Sequence, residues 1–389
     1  MKHWFPLLLV ICVTTGCAST TVVTANSTPA RQASTPITFD ELLDIGILPI
    51  DPNIPSDLEE IEENLIVPDV RRAESSYIAY HLKDTLELTG NWGAVRVTPE
   101  SAVSVDLELR GRILLSDGEQ LKVQMRAVDA RGRVWFDRTY EDTASKFSYE
   151  KPREDPFQDL YNDIANDLLA AREQMARDDI LAIKTVAGLK YARDLAPEAF
   201  ENYLEENSRG QVRVVQLPAE TDSMLIRVNR IKEQEYLFVD TLDDYYSRFY
   251  RDMRPSYDEW RHATYDEAIR LREIQKQARA HLATGALLIA GGIYAGSESG
   301  TWAGDAAAAG AVVGGIGAVK AGLQRRKEAE IHAESLKELS QSLGTEITPY
   351  VLDIEGRTIE LTGTAEEQYQ QWRELLSEIY AQETSLPVQ

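Results

Sequence analysis

Residues 105–136 read VDLELRGRILLSDGEQLKVQMRAVDARGRVWF, and apolar and polar side chains alternate along much of this stretch. The alternation is strict over residues 105–110 and again over residues 121–127. Such a period predicts strands that have one buried face and one polar face. Residues 117–118 (Asp-Gly) and 130–132 (Ala-Arg-Gly) separate the runs and are typical of tight turns. The stretch therefore predicts a three-stranded meander with one polar face.

The residues before this meander predict a strand, a helix and a second strand. Residues 44–50, DIGILPI, form a short apolar run before turn residues, which is typical of a buried strand. Residues 71–88 carry an apolar face at helical spacing, and Gly90 is placed to end that helix. That face is formed by Ile78, Leu82 and Leu86. Residues 93–99, GAVRVTP, predict the second strand.

These elements predict an α+β fold. Residues 38–150 would form a small mixed or antiparallel sheet domain with a helix on one face, and residues 151–282 a mainly helical body. In the body, Asp155-Pro156 is a favourable helix start, with Asp as N-cap and Pro at the first helical position. The buried face of that helix is predicted to contain Phe157, Leu160, Ile164 and Leu168.

The rest of the helical body contains several predicted interruptions. We expect helix to about residue 206 with a break near Ala196-Pro197, then a short strand within residues 211–217. Residues 220–284 are again predicted helical, with a break at Pro255.

Aromatic residues are concentrated between residues 236 and 265. Tyr246, Tyr250 and Trp260 could line a sugar site beside the nearby carboxylates. The stronger interpretation is that the aromatic side chains fill a core, because residues such as Phe238, Tyr245 and Phe249 fall near helical spacing.

The first residues, MKHWFPLLLVICVTTGCAST, predict an export signal. A basic residue precedes a short apolar run that is well below the roughly 20 residues needed to span a bilayer, and small residues follow it. Residues 14–17, Thr-Thr-Gly-Cys, resemble the lipobox of bacterial lipoproteins, although Thr14 stands where leucine is usual in that family. The resemblance implies removal of residues 1–16 and lipidation of Cys17. Ala18 after the cysteine implies sorting to the outer membrane, with the protein on its periplasmic face.

Cysteine usage and composition agree with this interpretation. The chain has two cysteines, and Cys12 lies within the predicted signal, so the mature protein would keep Cys17 alone. Residues 17–37 are rich in Ser, Thr and Pro and predict a flexible tether, whose average reach is roughly 25 Å. The formal net charge of −23 argues against nucleic acid as a partner.

Residues 283–323 contain a Gly/Ala stripe that predicts a tightly packed helical hairpin. Its two apolar segments, 284–296 and 306–319, would each form about 20 Å of helix, which is shorter than the roughly 30 Å hydrocarbon core of a bilayer. Glycines four residues apart share one helix face, and their cost of about 1 kcal/mol each is offset when backbones approach closely. The predicted packing residues are Gly292, Gly296, Gly300, Gly304, Gly310, Gly314 and Gly322. The segment resembles the glycine-zipper hairpins of outer-membrane surface-antigen lipoproteins, which implies membrane insertion or self-association. The alternatives are a tight hairpin packed within the protein and a mobile glycine loop.

The C-terminal residues 324–389 predict a charged helix followed by a β-hairpin and a second helix. Two strands are expected around Glu355-Gly356, and residues 364–367, Thr-Ala-Glu-Glu, form a capping box. The last helix would bury Tyr369, Trp372, Leu376 and Ile379. The strand–turn–strand–helix order resembles part of a BON domain, a small module of the bacterial envelope.

The N-terminal unit resembles the N-terminal domains of TolB and of the lipoproteins CsgG and LpoB. The resemblance covers about 110 of the 389 residues and lies in residues 42–50, the helix that follows them and residues 105–135. It implies a domain that assembles or binds protein partners and has no catalytic role.

No known catalytic or metal-binding pattern is found in the sequence. There is no HExxH, GxSxG or P-loop motif, and the histidines are scattered. We therefore expect no catalytic residues, no metal and no cofactor, and we interpret His81 as a structural residue.

Taken together, the sequence predicts a lipoprotein of the outer membrane that acts as a structural or assembly factor. Its expected partners are the membrane, through the lipid on Cys17, and envelope proteins or further copies of itself. The alternative is an oligomeric pore or transport component that uses the glycine-zipper hairpin.

Overall fold

The computed structural model describes residues 20–23, 28–63, 66–99, 105–150, 152–219, 221–292, 331, 334, 337–338, 350–354 and 357–385. The protein has a mixed α+β fold, as the sequence predicts. Its N-terminal half contains the main sheet and a layer of helices, and one very long helix packs on that layer.

Within the described residues, the main sheet has six strands. They are β1 (Thr20–Val23), β2 (Ile45–Ile47), β3 (Val95–Val97), β4 (Leu107–Ser116), β5 (Gln120–Asp129) and β6 (Val134–Thr143). Their spatial order is β1-β6-β5-β4-β2-β3. Strands β4, β5 and β6 form the predicted antiparallel meander, whereas β1 lies parallel to β6, and β2 lies parallel to both β3 and β4.

The two predicted turns of the meander are confirmed. Gly118 has a φ of 88° and Gly132 a φ of 76°, which are conformations that glycine adopts at little steric cost. The faces are also as predicted: Leu107, Leu109 and Val123 are completely buried. The other face carries ion pairs between strands, such as that of Lys122 with Glu141 at 2.8 Å.

Eight α-helices are described. They are α1 (Leu58–Glu63), α2 (Pro68–Thr89), α3 (Lys146–Glu150), α4 (Gln158–Glu173), α5 (Arg177–Leu195), α6 (Pro197–Phe200), α7 (Ser223–Gly292) and α8 (Ala365–Ser385). Two short hairpins complete the described fold. They consist of β7 (Leu204–Glu206) with β8 (Val212–Val214), and β9 (Tyr350–Ile354) with β10 (Arg357–Leu361).

Helix α2 is buried on nearly all sides, although the sequence predicted a single apolar face. Gly90 ends the helix in a left-handed conformation with a φ of 65°, as expected. The helix contacts β3, α4 and α7. Polar residues on its second face, including Glu74 and His81, are therefore buried as well.

The start of α4 differs from the prediction. The helix begins at Gln158, and Asp155 does not serve as its N-cap. Instead, the Asp155 carboxylate accepts a hydrogen bond from the backbone N–H of Phe157 and pairs with a buried arginine of α7. The predicted buried face is confirmed, because Phe157, Leu160, Ile164 and Leu168 are all completely buried.

The predicted break at Pro255 is wrong. Helix α7 runs without interruption from Ser223 to Gly292 and contains Pro255. The residues on either side of the proline are held by packing, since Met253, Tyr257 and Trp260 are buried against the rest of the protein. Tertiary contacts here outweigh the cost of proline inside a helix, which is about 3 kcal/mol.

Other boundaries of the helical body follow the prediction in part. A break at Ala196 separates α5 from α6, and β8 lies within the predicted strand at residues 211–217. The break between α4 and α5, at residues 174–176, contains no Gly or Pro and was not predicted.

The C-terminal hairpin and helix are confirmed. At the start of α8, the Thr364 N–H donates to the Glu367 side chain at 2.7 Å, and the Glu367 N–H donates to the Thr364 hydroxyl at 3.3 Å. This reciprocal pair is a capping box. Tyr369, Trp372 and Leu376 are buried, and Ile379 is half-buried.

Candidate functional site

Most of the residues predicted to act at the membrane lie outside the described part of the chain. These are Cys17, Gly296, Gly300, Gly304, Gly310, Gly314 and Gly322. Gly292 is the last residue of α7, so that helix leads directly into the Gly/Ala-rich segment. The lipidation of Cys17 and the hairpin packing remain predictions. In the described residues, no helix is both long and apolar enough to cross a membrane.

The chain that follows Cys17 lies along the folded body. We call residues 20–23 and 28–41 the strap. Its first part is β1, in which Thr20 pairs with Arg138 and Val23 pairs with Glu141 of β6. Strand β1 therefore covers an edge of the sheet that would otherwise present unpaired backbone groups.

Side chains of α4 and of the loop after α2 hold the second part of the strap. Backbone N–H groups of the strap donate to Asp159 at 2.8 Å, to Asn166 at 2.8 Å and to Asn91 at 2.7 Å. Asn91 and Asn166 also donate to strap carbonyls, at 2.8 and 3.1 Å. Composition predicts a flexible tether over residues 17–37, whereas residues 28–33 are held to the folded body by these hydrogen bonds. The two asparagines and Asp159 therefore satisfy five backbone groups of the strap.

Three carboxylates converge where the strap meets the start of α4. Asp142, at the end of β6, is 7% exposed. Burial raises its pKa, the Thr143 N–H lowers it, and the nearby Asp159 and Asp163 carboxylates raise it further, to about 6. Asp142 therefore opposes folding at neutral pH, because its charged form is disfavoured in the folded protein.

We expect Asp142→Asn to raise the free energy of unfolding at pH 7.5 by about 1–2 kcal/mol, because the neutral amide removes the unfavourable buried charge and solvent screens part of that charge in the wild type. The folded pKa of Asp142 lies above the unfolded value of about 4. The native protein therefore gains stability from this group as pH falls from above 6 towards 4. The gain from the substitution should accordingly shrink at pH 4.5. Urea unfolding at both pH values measures this, and an equal gain at both would contradict it.

A buried ion pair joins α7 to the start of α4. Arg261 of α7 is completely buried and donates two hydrogen bonds to Asp155, at 3.2 and 2.9 Å. Its guanidinium also lies 4.3 Å from the ring centre of Tyr257. Burial alone would raise the pKa of Asp155, but the positive charge of Arg261 lowers it well below its usual range. The carboxylate therefore stays ionised and paired.

A second buried carboxylate lies on the facing side of α2. Glu74 is completely buried and accepts hydrogen bonds from Ser116 at 2.5 Å and from Tyr257 at 2.8 Å. Arg71 lies 3.4 Å from it. Burial outweighs these partners and raises the pKa of Glu74. The α2–α7 interface is thus fixed by directional polar contacts as well as by apolar packing.

His81 belongs to the same interface and acts as a structural residue in this fold. Its Nδ1 lies 2.6 Å from the Tyr250 hydroxyl, and its Nε2 lies 2.8 Å from the Gln158 side-chain oxygen. Tyr250 and the other two aromatic residues considered for a sugar site, Tyr246 and Trp260, are at most 8% exposed. They fill the core, and the interpretation as a sugar site does not fit the structure.

A third polar contact attaches the C-terminal helix to α7. Glu235 of α7 accepts hydrogen bonds from Tyr369 at 2.5 Å and from Arg373 at 2.9 Å. Beside them, the rings of Phe238 and Trp372 stack with centres 5.2 Å apart. Burial raises the pKa of Glu235.

Two clefts of the described protein lie beside residues 153–156. A cleft of 280 Å³ is lined by Tyr149, Arg254 and His262, among others, and one of 410 Å³ is lined by Phe147 and Asp159, among others. Asp155 lines both clefts, but its carboxylate is already paired with Arg261. In the parts of the chain described here, no group of three or more His, Cys, Asp or Glu residues is arranged to hold a metal ion.

Two features of the structure are not predicted from the sequence, namely the strap and the Arg261–Asp155 pair. Comparisons of the chain with protein-family models, with characterised proteins and with solved structures find no match. The resemblances drawn from the sequence therefore stay predictions.

Proposed function

We propose that the protein is a lipid-anchored outer-membrane lipoprotein that faces the periplasm and acts as a structural or assembly factor for protein partners of the envelope. The sequence basis is the lipobox-like segment that ends at Cys17 and the absence of a known catalytic motif. The observation that carries the proposal is the strap, whose first paired residue, Thr20, follows Cys17 by only three positions. A lipid on Cys17 would thus be attached almost directly to the folded body.

The architecture of α7 supports a structural role. Its 70 residues form a rod of about 105 Å at the usual rise per residue. The rod contacts the C-terminal helix near its start through Glu235, and the sheet domain further along through Tyr257, which donates a hydrogen bond to Glu74 of α2. It then enters the Gly/Ala-rich segment. One rigid element therefore connects the C-terminal unit and the sheet domain to the segment predicted to insert or self-associate.

The first test is fractionation of cells that produce the wild-type protein or Cys17→Ser, followed by carbonate extraction of the membranes. We expect the wild type in the outer membrane and Cys17→Ser in the soluble fraction, because the lipid is the anchor. Cys12→Ser is the matched control, since it changes a cysteine within the predicted signal and should leave the wild-type pattern.

Two other outcomes would change the proposal. If Cys17→Ser stays in carbonate-washed membranes, the Gly/Ala-rich hairpin inserts, and the oligomeric pore becomes the better hypothesis. Light scattering of the detergent-solubilised protein then separates the two, because a pore requires a ring of many copies whereas a scaffold needs only one or two. If the wild type itself is soluble, the lipid-anchor proposal is wrong.

A further inference from the structure

We infer that one end of the sheet domain, formed by Phe39, the β5–β6 turn and the β7–β8 hairpin, lies against the phospholipid surface of the membrane. This inference rests on the proposed lipidation of Cys17. It replaces the picture of a body that stands off the membrane on a long tether, and it assigns a lipid-facing surface to residues that no sequence motif marks.

The direction of β1 determines where the anchor leaves the body. Because β1 runs parallel to β6 and Thr20 lies opposite Arg138, Thr20 is the residue of β1 nearest to Val134, where β6 begins. Three residues span at most about 11 Å, so Cys17 lies within that distance of Thr20. The acyl chains on Cys17 would therefore enter the membrane close to the beginning of β6.

The end of the domain that lies in this direction has an unusual exposed aromatic residue. Phe39, in the short helical turn Phe39–Glu41 of the strap, is 90% exposed. Arg177, at the start of α5, contacts both Asp40 and Glu41 and holds this turn in place. An exposed apolar side chain on a fixed turn can enter the boundary between lipid headgroups and acyl chains without giving up packing contacts within the protein.

Arginines surround the same end. The β7–β8 hairpin is attached to the β5–β6 turn by a hydrogen bond from the Val212 N–H to the Arg131 carbonyl, at 2.9 Å. Between them lies a cleft of 350 Å³ lined by Arg131, Arg133 and Arg213. Arg133 and the adjacent Arg209 are exposed. Guanidinium groups suit phosphate oxygens because they donate paired hydrogen bonds.

The overall charge of −23 does not prevent such a contact. Charges separated by more than about 8 Å are largely screened at physiological ionic strength. The local groups at this end therefore decide the interaction. Arg131 and Arg213 pair with Asp179 and Glu205, and Arg177 pairs with Asp40 and Glu41. With Arg133 and Arg209 exposed beside these pairs, the surface carries charges of both signs.

The opposite end of the sheet provides a matched control. Phe147 of α3 is 73% exposed and follows the last residue of β6 by four positions. The ten residues of β6 separate the two ends by about 30 Å. Phe39 and Phe147 are thus two exposed phenylalanines, one near each end of the sheet.

The test places a fluorescent label at Phe39→Cys or Phe147→Cys in the full-length, lipidated protein. Lipidation blocks the thiol of Cys17, so the introduced cysteine is the reactive one. The protein is reconstituted into vesicles of phosphatidylethanolamine and phosphatidylglycerol that contain a headgroup-nitroxide lipid. We expect quenching of the label at residue 39 to be several-fold stronger than at residue 147. Asn91→Ala with Asn166→Ala, which removes strap contacts, should reduce this difference.

Equal quenching at the two positions, or stronger quenching at residue 147, would overturn the inference. So would a difference that is unchanged when the strap contacts are removed. Mass spectrometry of Cys17 and flotation with the vesicles report separately on the anchor. If the protein is unlipidated and does not float, the proposed function fails and the inference fails with it. If it is lipidated and floats without preferential quenching at residue 39, only the inference is wrong.

Discussion

Replacement of Arg261 by methionine should lower the free energy of unfolding by about 3–5 kcal/mol, because it leaves the Asp155 carboxylate buried without its counter-ion. Both side chains of this pair are at most 2% exposed, so water cannot substitute for the lost guanidinium. Methionine has a similar length and keeps much of the packing against Tyr257. The expected loss therefore comes from charge rather than from a cavity. Urea unfolding of a soluble Cys17→Ser background measures it.

The pH dependence of the same variant identifies the cause. In the wild type, Arg261 lowers the folded pKa of Asp155, so the stabilisation is complete above the unfolded pKa of about 4 and is lost as pH falls through the folded pKa. Without Arg261, burial dominates and the folded pKa rises above the unfolded one. The variant then loses stability as pH rises from about 4. The difference between variant and wild type should be larger at pH 7.5 than at pH 5.

Arg254→Met is the control for this experiment. Arg254 lies on the same helix, is half-exposed and contacts Asp258 at 3.8 Å, so its replacement should change the unfolding free energy by no more than about 0.5 kcal/mol. If Arg261→Met costs as little as Arg254→Met, or if its cost is the same at both pH values, the buried pair does not hold α7 in place.

The parts of this fold that the sequence predicts are those determined by interactions between residues close together in the sequence. The meander follows from strict alternation and from glycines at the two turns, and Gly118 and Gly132 do adopt left-handed conformations. The start of α8 follows from Thr364 and Glu367, which satisfy each other within one turn. Such features need no knowledge of the rest of the chain.

The features that the sequence does not predict depend on partners far away along the chain. Asp155 has the local signature of a helix N-cap, and only the approach of Arg261, 106 positions later, gives it another role. Pro255 would break an isolated helix, yet packing on both sides of it maintains α7. The composition of the strap predicts a flexible tether, because the side chains that hold it, Asn91, Asp159 and Asn166, lie elsewhere in the sequence. The composition of a segment indicates how much apolar surface it can bury. It does not indicate which distant side chains will hydrogen-bond to its backbone N–H and C=O groups.

Truncation of Trp372 to alanine should release α8 from the body. Trp372 is 4% exposed and stacks on Phe238 of α7, and removal of a buried ring of this size costs about 3–5 kcal/mol. The principal neighbours of α8 in other helices are α7 and α5. We therefore expect a local loss, in which backbone amides of α8 lose protection in hydrogen exchange while those of α2 and β5 keep it.

Two variants separate this expectation from general destabilisation. Trp372→Phe retains an aromatic ring against Phe238 and should lose much less protection, and Gln370→Ala, on the exposed side of α8, should lose almost none. None of the three variants removes the polar contacts of Glu235 with Tyr369 and Arg373. These contacts cannot hold α8 in place alone, because water can hydrogen-bond to the same polar groups when the helix detaches. If α2 and α8 lose protection together in Trp372→Ala, the C-terminal unit and the sheet domain unfold as one cooperative body. That outcome would contradict the expected local loss, because α8 would then depend on the same cooperative transition as α2.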